Sequence, residues 1–168
     1  MARTPAVPRV NLEDFAEPPR LRALLSLYRK FLWADELHRR LKGFLRHHGT
    51  FVATAVQTKR MGSYEQAFRG DMYLCLWLGM LYVVTQAWSA LRLRHPIITQ
   101  LLRSPYKDEL REFGNAVFHP SDWADPGYDA LLQRGQASAE WAETLTAAIR
   151  HYLRPLARFD RGAALDER

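Results

Sequence analysis

The sequence predicts an all-α protein, an up-and-down bundle of four to five helices. Apolar residues recur at helical spacing in several long stretches, and no run of useful length alternates between apolar and polar residues as a strand does. The chain has 168 residues, of which 48% are hydrophobic, so it can bury the core of one domain without a metal or a disulfide. These observations predict a single helical domain.

The chain divides into three parts. Residues 1–19 contain four prolines and no sustained periodicity, which predicts an extended N-terminal arm that Phe15 docks onto the domain. Residues 20–160 carry the helical pattern and form the domain. Residues 161–168 are expected to be a disordered tail.

The first half of the domain contains two long helices. Helical spacing of leucines and aromatic residues predicts the first from about residue 20 to 47. The stretch 51–62 is ambiguous, because β-branched residues weaken its helical pattern. Ser63, with Gln66 three residues later, has the form of a capping box and begins a central helix that runs to about residue 93.

This central helix has two interpretations. Twenty consecutive uncharged residues, 72–91, are enough to cross a bilayer. However, Trp77 would lie at mid-depth, and Thr85 and Gln86 are polar. A helix buried on all sides within a bundle is therefore favoured over a membrane span.

The second half contains three further helices. A short one follows Pro96 and ends before Pro105, and the next covers about residues 105–118. Residues 121–136 read as a loop, with one helical turn near 130–132. A last helix covers about residues 138–159 and is kinked at Pro155.

Composition narrows the compartment and the partner. A net charge of +6 and a pI near 9.8 favour an anionic partner, but the basic and acidic residues interleave, which predicts a diffuse excess. Cys75 is the only cysteine and can form no internal disulfide, which favours the cytoplasm. No cysteine and histidine grouping has zinc spacing, so neither a metal nor another cofactor is expected.

The helix at 105–118 carries the candidate site. At about 100° per residue, Leu110 and Phe113 fall on one side, and Arg111, Asn115 and His119 fall opposite. Asn115 and His119 are neighbours on the helix surface, and an imidazole can exchange protons at cellular pH. The alternative is that His119 only caps the last carbonyls of its own helix.

The segment Gly114-Asn-Ala-Val-Phe-His119 resembles the signature of the HEPN superfamily, and the resemblance covers the C-terminal two-thirds of the chain. The resemblance implies a cytoplasmic, metal-independent RNA endonuclease of the toxin or antiviral-defence type, with an antitoxin or another protein as a further partner. It also implies a homodimer in which the two motif helices meet. His119 would then act on the ribose 2′-hydroxyl or the leaving oxygen, and Asn115 would orient it or bind phosphate.

The signature is degenerate at one position. Gly114 stands where the family has an arginine, and glycine provides neither a charge nor a donor. Three explanations are open: a naturally inactive homologue, a substitution that allowed expression of a toxic protein, or Arg111 acting as the substitute. Impaired cleavage is expected in each of the first two cases, and Gly114→Arg is then expected to restore it.

Two further expectations concern binding. Arg92 and Arg94, at the end of the central helix, are candidate RNA contacts, although a solvated helix end explains them equally well. The main alternative function is a non-catalytic dimeric module that binds RNA or a partner protein through the same face. A membrane-anchored helical protein is the third possibility.

Overall fold

The computed structural model describes residues 9–15, 17–48, 64–118, 131 and 134–157. Within these ranges the chain forms helices and no strand, which confirms the all-α class. A 3-10 turn, Leu12–Phe15, precedes five α helices: α1 (Pro18–His48), α2 (Tyr64–Ala90), α3 (Pro96–Leu101), α4 (Tyr106–Phe118) and α5 (Gln136–Leu153). The ambiguous stretch 51–62, Ser63 of the capping box, the loop 121–130 and the tail 161–168 lie outside the described residues.

The helix α2 is the centre of the bundle. It packs along α1 on one side and against α4 on another, and Trp77, Leu81 and Trp88 are buried in the common core. The expectation that it is buried on all sides is wrong, because Phe68 is 65% exposed and Met72 is exposed as well. The reason is that α4, with 13 residues, is only half as long as the 27-residue α2.

One segment of the described chain, Phe68–Ala90, is long and apolar enough to cross a membrane, with a mean hydropathy of 1.2. Trp77, Leu81 and Val84 in this segment are packed against other helices of the bundle. A central core helix accounts for the same composition.

The N-terminal residues of the described chain pack against α5, the last helix. Phe15 is buried, and the backbone amide of Val10 donates a hydrogen bond of 3.1 Å to the carbonyl of Tyr152. The residues that open the described chain therefore lie against the bundle. The helix α5 ends at Leu153 rather than continuing through Pro155, since proline lacks the amide that would extend it.

A buried histidine joins α1, α2 and α5. The ring of His38 stacks on that of Trp77, with the centroids 4.2 Å apart and the planes 12° from parallel. From α5, Glu143 approaches with its Oε1 3.5 Å from Nε2, a separation at which a hydrogen bond is weak. Burial lowers the pKa of His38, as do the charges of Lys42 and Arg150, while Glu143 acts in the opposite direction.

The lowered pKa predicts a pH dependence of stability. The folded state favours the neutral form of His38. The stability that this preference contributes is complete above the unfolded pKa of about 6.5 and is lost as the pH falls through the lower pKa of the folded state. The free energy of unfolding should therefore decrease below about pH 6.5. In His38→Phe, which can keep the stack on Trp77, this part of the decrease should be absent. Urea unfolding at several pH values measures the free energy of unfolding of both proteins. If it falls equally with decreasing pH in the two, His38 is not the cause of the pH dependence.

Candidate nucleic-acid site

The helix α4 begins where its flanking residues satisfy its first turn. The hydroxyl oxygen of Ser104 accepts a hydrogen bond of 3.3 Å from the amide of Tyr106. Asp108 and Glu109 lie in the first turn, where negative charge is favoured by the helix dipole. These interactions fix the start of the helix and with it the direction in which each later side chain points.

The two faces predicted for α4 are confirmed for the residues that the structure describes. Leu110 and Phe113 are completely buried in the core, whereas Arg111 and Asn115 are exposed. Asn115 thus presents its carboxamide outwards one turn after Arg111. His119, the proposed general acid or base, lies outside the described residues.

The exposed face of α4 is not itself basic. The Arg111 guanidinium lies 3.7 Å from the Asp108 carboxylate, and both side chains are more than half exposed, so this ion pair is weak. Glu112 is exposed on the same helix. With two basic and three acidic residues, α4 has a net charge of −1. The charge of α4 by itself therefore offers no net attraction for a polyanion.

Gly114 packs directly against α2. A Cβ at this position would lie 2.4 Å from Cδ1, 2.6 Å from Cγ and 2.8 Å from Cβ of Tyr82. These atoms include the base of the tyrosine side chain, which cannot move aside without a shift of the backbone or a change of rotamer. The contact explains why glycine occupies this position. It also shows that position 114 points into the bundle.

This packing changes the interpretation of the degenerate signature. An arginine at position 114 would meet Tyr82, so the expectation that Gly114→Arg restores cleavage does not fit the structure. A signal for this was present in the sequence, since residue 114 follows Leu110 by four positions and lies on the same side of the helix. Of the three explanations, substitution by Arg111 is the one that places a guanidinium on the outward face.

Arg92 and Arg94 lie at the turn that ends α2, and both are exposed. Arg92 has a φ of 52°, and its amide and that of Leu93 donate to the carbonyls of Ser89 and Trp88. These two bonds form a Schellman motif, in which the left-handed position is usually glycine. No hydrogen bond or ion pair between described residues joins either arginine to Arg111 or Asn115. Contacts between described residues therefore do not link the two pairs of candidates.

Comparison of the chain with protein-family models, curated proteins and solved structures found no match. Across the described ranges, no three histidine, cysteine, aspartate or glutamate side chains are grouped as metal ligands would be. The interpretation of the site depends on its own residues.

The contact with Tyr82 predicts a difference between two glycine substitutions. Replacing a helical glycine by alanine normally stabilises a helix by about 1 kcal/mol. Gly43→Ala in α1 should show this gain, because nothing lies within 4 Å of the new Cβ. Gly114→Ala should instead lower the free energy of unfolding by about 1–3 kcal/mol, since overpacking outweighs the helix preference.

Chemical denaturation of both variants beside the unmodified protein measures the difference. The contact is supported if the two substitutions change stability in opposite directions. Equal stabilisation by the two alanines would show that position 114 is open.

Proposed function

We propose that this chain is a metal-independent RNA endonuclease of the HEPN type, with a role in toxin or antiviral defence and with weakened activity. The proposal is supported by the outward line of Arg111 and Asn115 on α4, which continues in sequence to His119 and lies opposite the buried side chains of Leu110 and Phe113. Core packing does not require a guanidinium and a carboxamide on an exposed surface. A guanidinium can bind a phosphate, and a carboxamide can bind a phosphate or orient a neighbouring imidazole.

The proposed chemistry is cleavage by the RNA's own ribose. His119 would accept the proton of the 2′-hydroxyl while the 2′-oxygen forms a bond to phosphorus and the bond to the 5′-oxygen breaks. A proton from solvent water would neutralise the leaving 5′-oxygen, and the imidazolium would then release its proton to solvent. Asn115 would hold the imidazole or a phosphate oxygen, and Arg111 would stabilise the negative charge that develops on the phosphate.

A dimer through the outward line of α4 would bring Arg111 and His119 close together, as the proposed chemistry requires. Eight residues separate Arg111 from His119 in sequence, so a continuous helix over them would put the two positions about 12 Å apart along its axis within one chain. Arg111 and His119 are both four residues from Asn115, so two antiparallel copies that meet at Asn115 place Arg111 of one copy opposite His119 of the other. Each of the two symmetric sites would then combine groups from both subunits.

A second function has an observation in its favour. Since Gly114 leaves no room for the arginine that the HEPN signature carries, the same face can serve as a non-catalytic surface for RNA or a partner protein. In that case the unmodified protein cleaves no RNA, and substitutions of Asn115 or His119 weaken association instead.

The endonuclease proposal predicts slow RNA cleavage in EDTA with excess protein over RNA. His119→Ala should lower the single-turnover rate by about 10²–10⁴, because it removes the acid or base. His151→Ala is the matched control, since this half-buried histidine on α5 contacts Arg9 and lies outside the site. Arg111→Ala should lower the rate by about 10³.

A mixture of the two defective proteins tests the shared site. Each Arg111→Ala and His119→Ala pair forms one intact site, so an equilibrated equimolar mixture should recover about a quarter of the unmodified rate. Each variant alone should remain inactive. Full cleavage by His119→Ala would contradict the endonuclease proposal, and a mixture no more active than its components would contradict the shared site.

A further inference from the structure

The positive charge of this protein is concentrated on one helix. The 31 residues of α1 contain eight arginines and lysines and two acidic residues, so its net charge of +6 equals that of the whole chain. The remaining residues therefore sum to zero. The expectation of a diffuse excess is wrong, because the interleaving of charges along the sequence hides how few acidic residues fall within α1.

Part of this charge forms a straight line on the helix surface. Arg22, Arg29, Trp33 and Arg40 follow one another at steps of seven, four and seven residues, which places them within a sector of about 40°. We call these four residues the α1 stripe. All four side chains are exposed, and Trp33 is 57% exposed. The stripe is about 27 Å long.

Two of the three cations of the α1 stripe are unpaired among the described residues. Among the described residues, Arg22 and Arg29 make no hydrogen bond or ion pair. Arg40 donates to Glu36 at 2.8 Å, but the same carboxylate also lies 2.8 Å from Arg39, so one negative charge serves two positive ones. The stripe therefore retains an excess of positive charge.

We propose that the α1 stripe binds a single strand of nucleic acid, with its arginines on phosphates and Trp33 stacked on a base. Exposed aromatic rings between cations are the means by which proteins hold single strands without sequence preference. A strand stacked at about 3.4 Å per nucleotide would cover the stripe with about eight nucleotides. The contact with a strand depends on α1 alone, and the choice of RNA rests on the proposed function.

An anionic membrane surface fits the stripe less well. A helix that lies in a membrane interface presents a broad apolar face along its length. In α1 the apolar residues Leu24, Leu27 and Phe31 are buried in the core, and the stripe contains a single large apolar side chain. A row of arginines with one aromatic ring instead suits a nucleic acid, which offers phosphates to the arginines and a flat base to the ring.

Fluorescence anisotropy with a labelled RNA of twelve nucleotides, in EDTA, tests the proposal on the full chain. Arg22→Gln/Arg29→Gln should weaken binding about tenfold or more at low salt and reduce the slope of log Kd against log salt by about 1.4, for two lost phosphate contacts. Trp33→Ala should weaken binding by about 5- to 100-fold, and Trp33→Phe should retain most of it, since phenylalanine also stacks. The single-stranded DNA of the same sequence separates RNA from DNA as the source of the phosphates.

The matched control is Arg103→Gln/Arg154→Gln, which removes the same charge from exposed positions outside α1. Equal affinity and equal salt slope for the two double variants would overturn the proposal, as would Trp33→Ala with unchanged Kd. Sedimentation with phosphatidylserine vesicles but no binding of either oligonucleotide would also overturn it, in favour of a membrane surface.

Cleavage of the same RNA, followed in parallel, separates this proposal from the endonuclease. Binding that depends on the stripe without any cleavage would support the stripe and contradict the proposed activity. Cleavage by the unmodified protein, together with normal RNA binding by the stripe variants, would support the proposed activity and contradict the stripe.

Discussion

The close approach of α4 to α2 is the contact on which the candidate site depends. Gly114 lies on Tyr82, and Gly79 of α2 lies under Phe118, so that a Cβ at either glycine would meet an aromatic ring at less than 3 Å. Because both glycines face the contact, the rotation of α4 about its own axis is fixed. Arg111 and Asn115 are thereby held on the outside, and any chemistry at this helix must use that outward line.

The proposed binding surface for a polyanion and the proposed chemistry lie on different helices. The helix α4 has a net charge of −1 and would not by itself draw RNA, while α1 carries the whole positive excess of the chain. Long-range attraction depends on the number of cations and their spacing, whereas cleavage depends on a few groups in exact register. Two surfaces allow each requirement to be met without compromising the other.

Periodicity was sufficient to predict the fold and the faces of α4, because burial of Leu110 and Phe113 follows directly from helical spacing. The inward position of Gly114 follows from the same spacing. That a larger residue is excluded there could not be predicted, because the side chain that excludes it, Tyr82, is distant in sequence. The exposure of Met72 was also missed, because the uncharged run 72–91 has no charged side that marks its outer face. The predicted bounds of the first helix, 20–47, already contain the eight cations and two acidic residues of α1, but which of these cations are exposed and unpaired depends on the packing of α1 in the bundle.

Photocrosslinking of the full chain to a single-stranded RNA that carries a photoreactive uridine, with mass-spectrometric mapping, tests the central claim most directly. The account predicts adducts at Trp33 on α1 and on the outward line of α4 around Asn115. A groove of about 470 Å³ between α1 and α5, which Tyr28 and His151 help to line, is a competing surface. Adducts confined to that groove, with none on the α1 stripe or α4, would contradict the account.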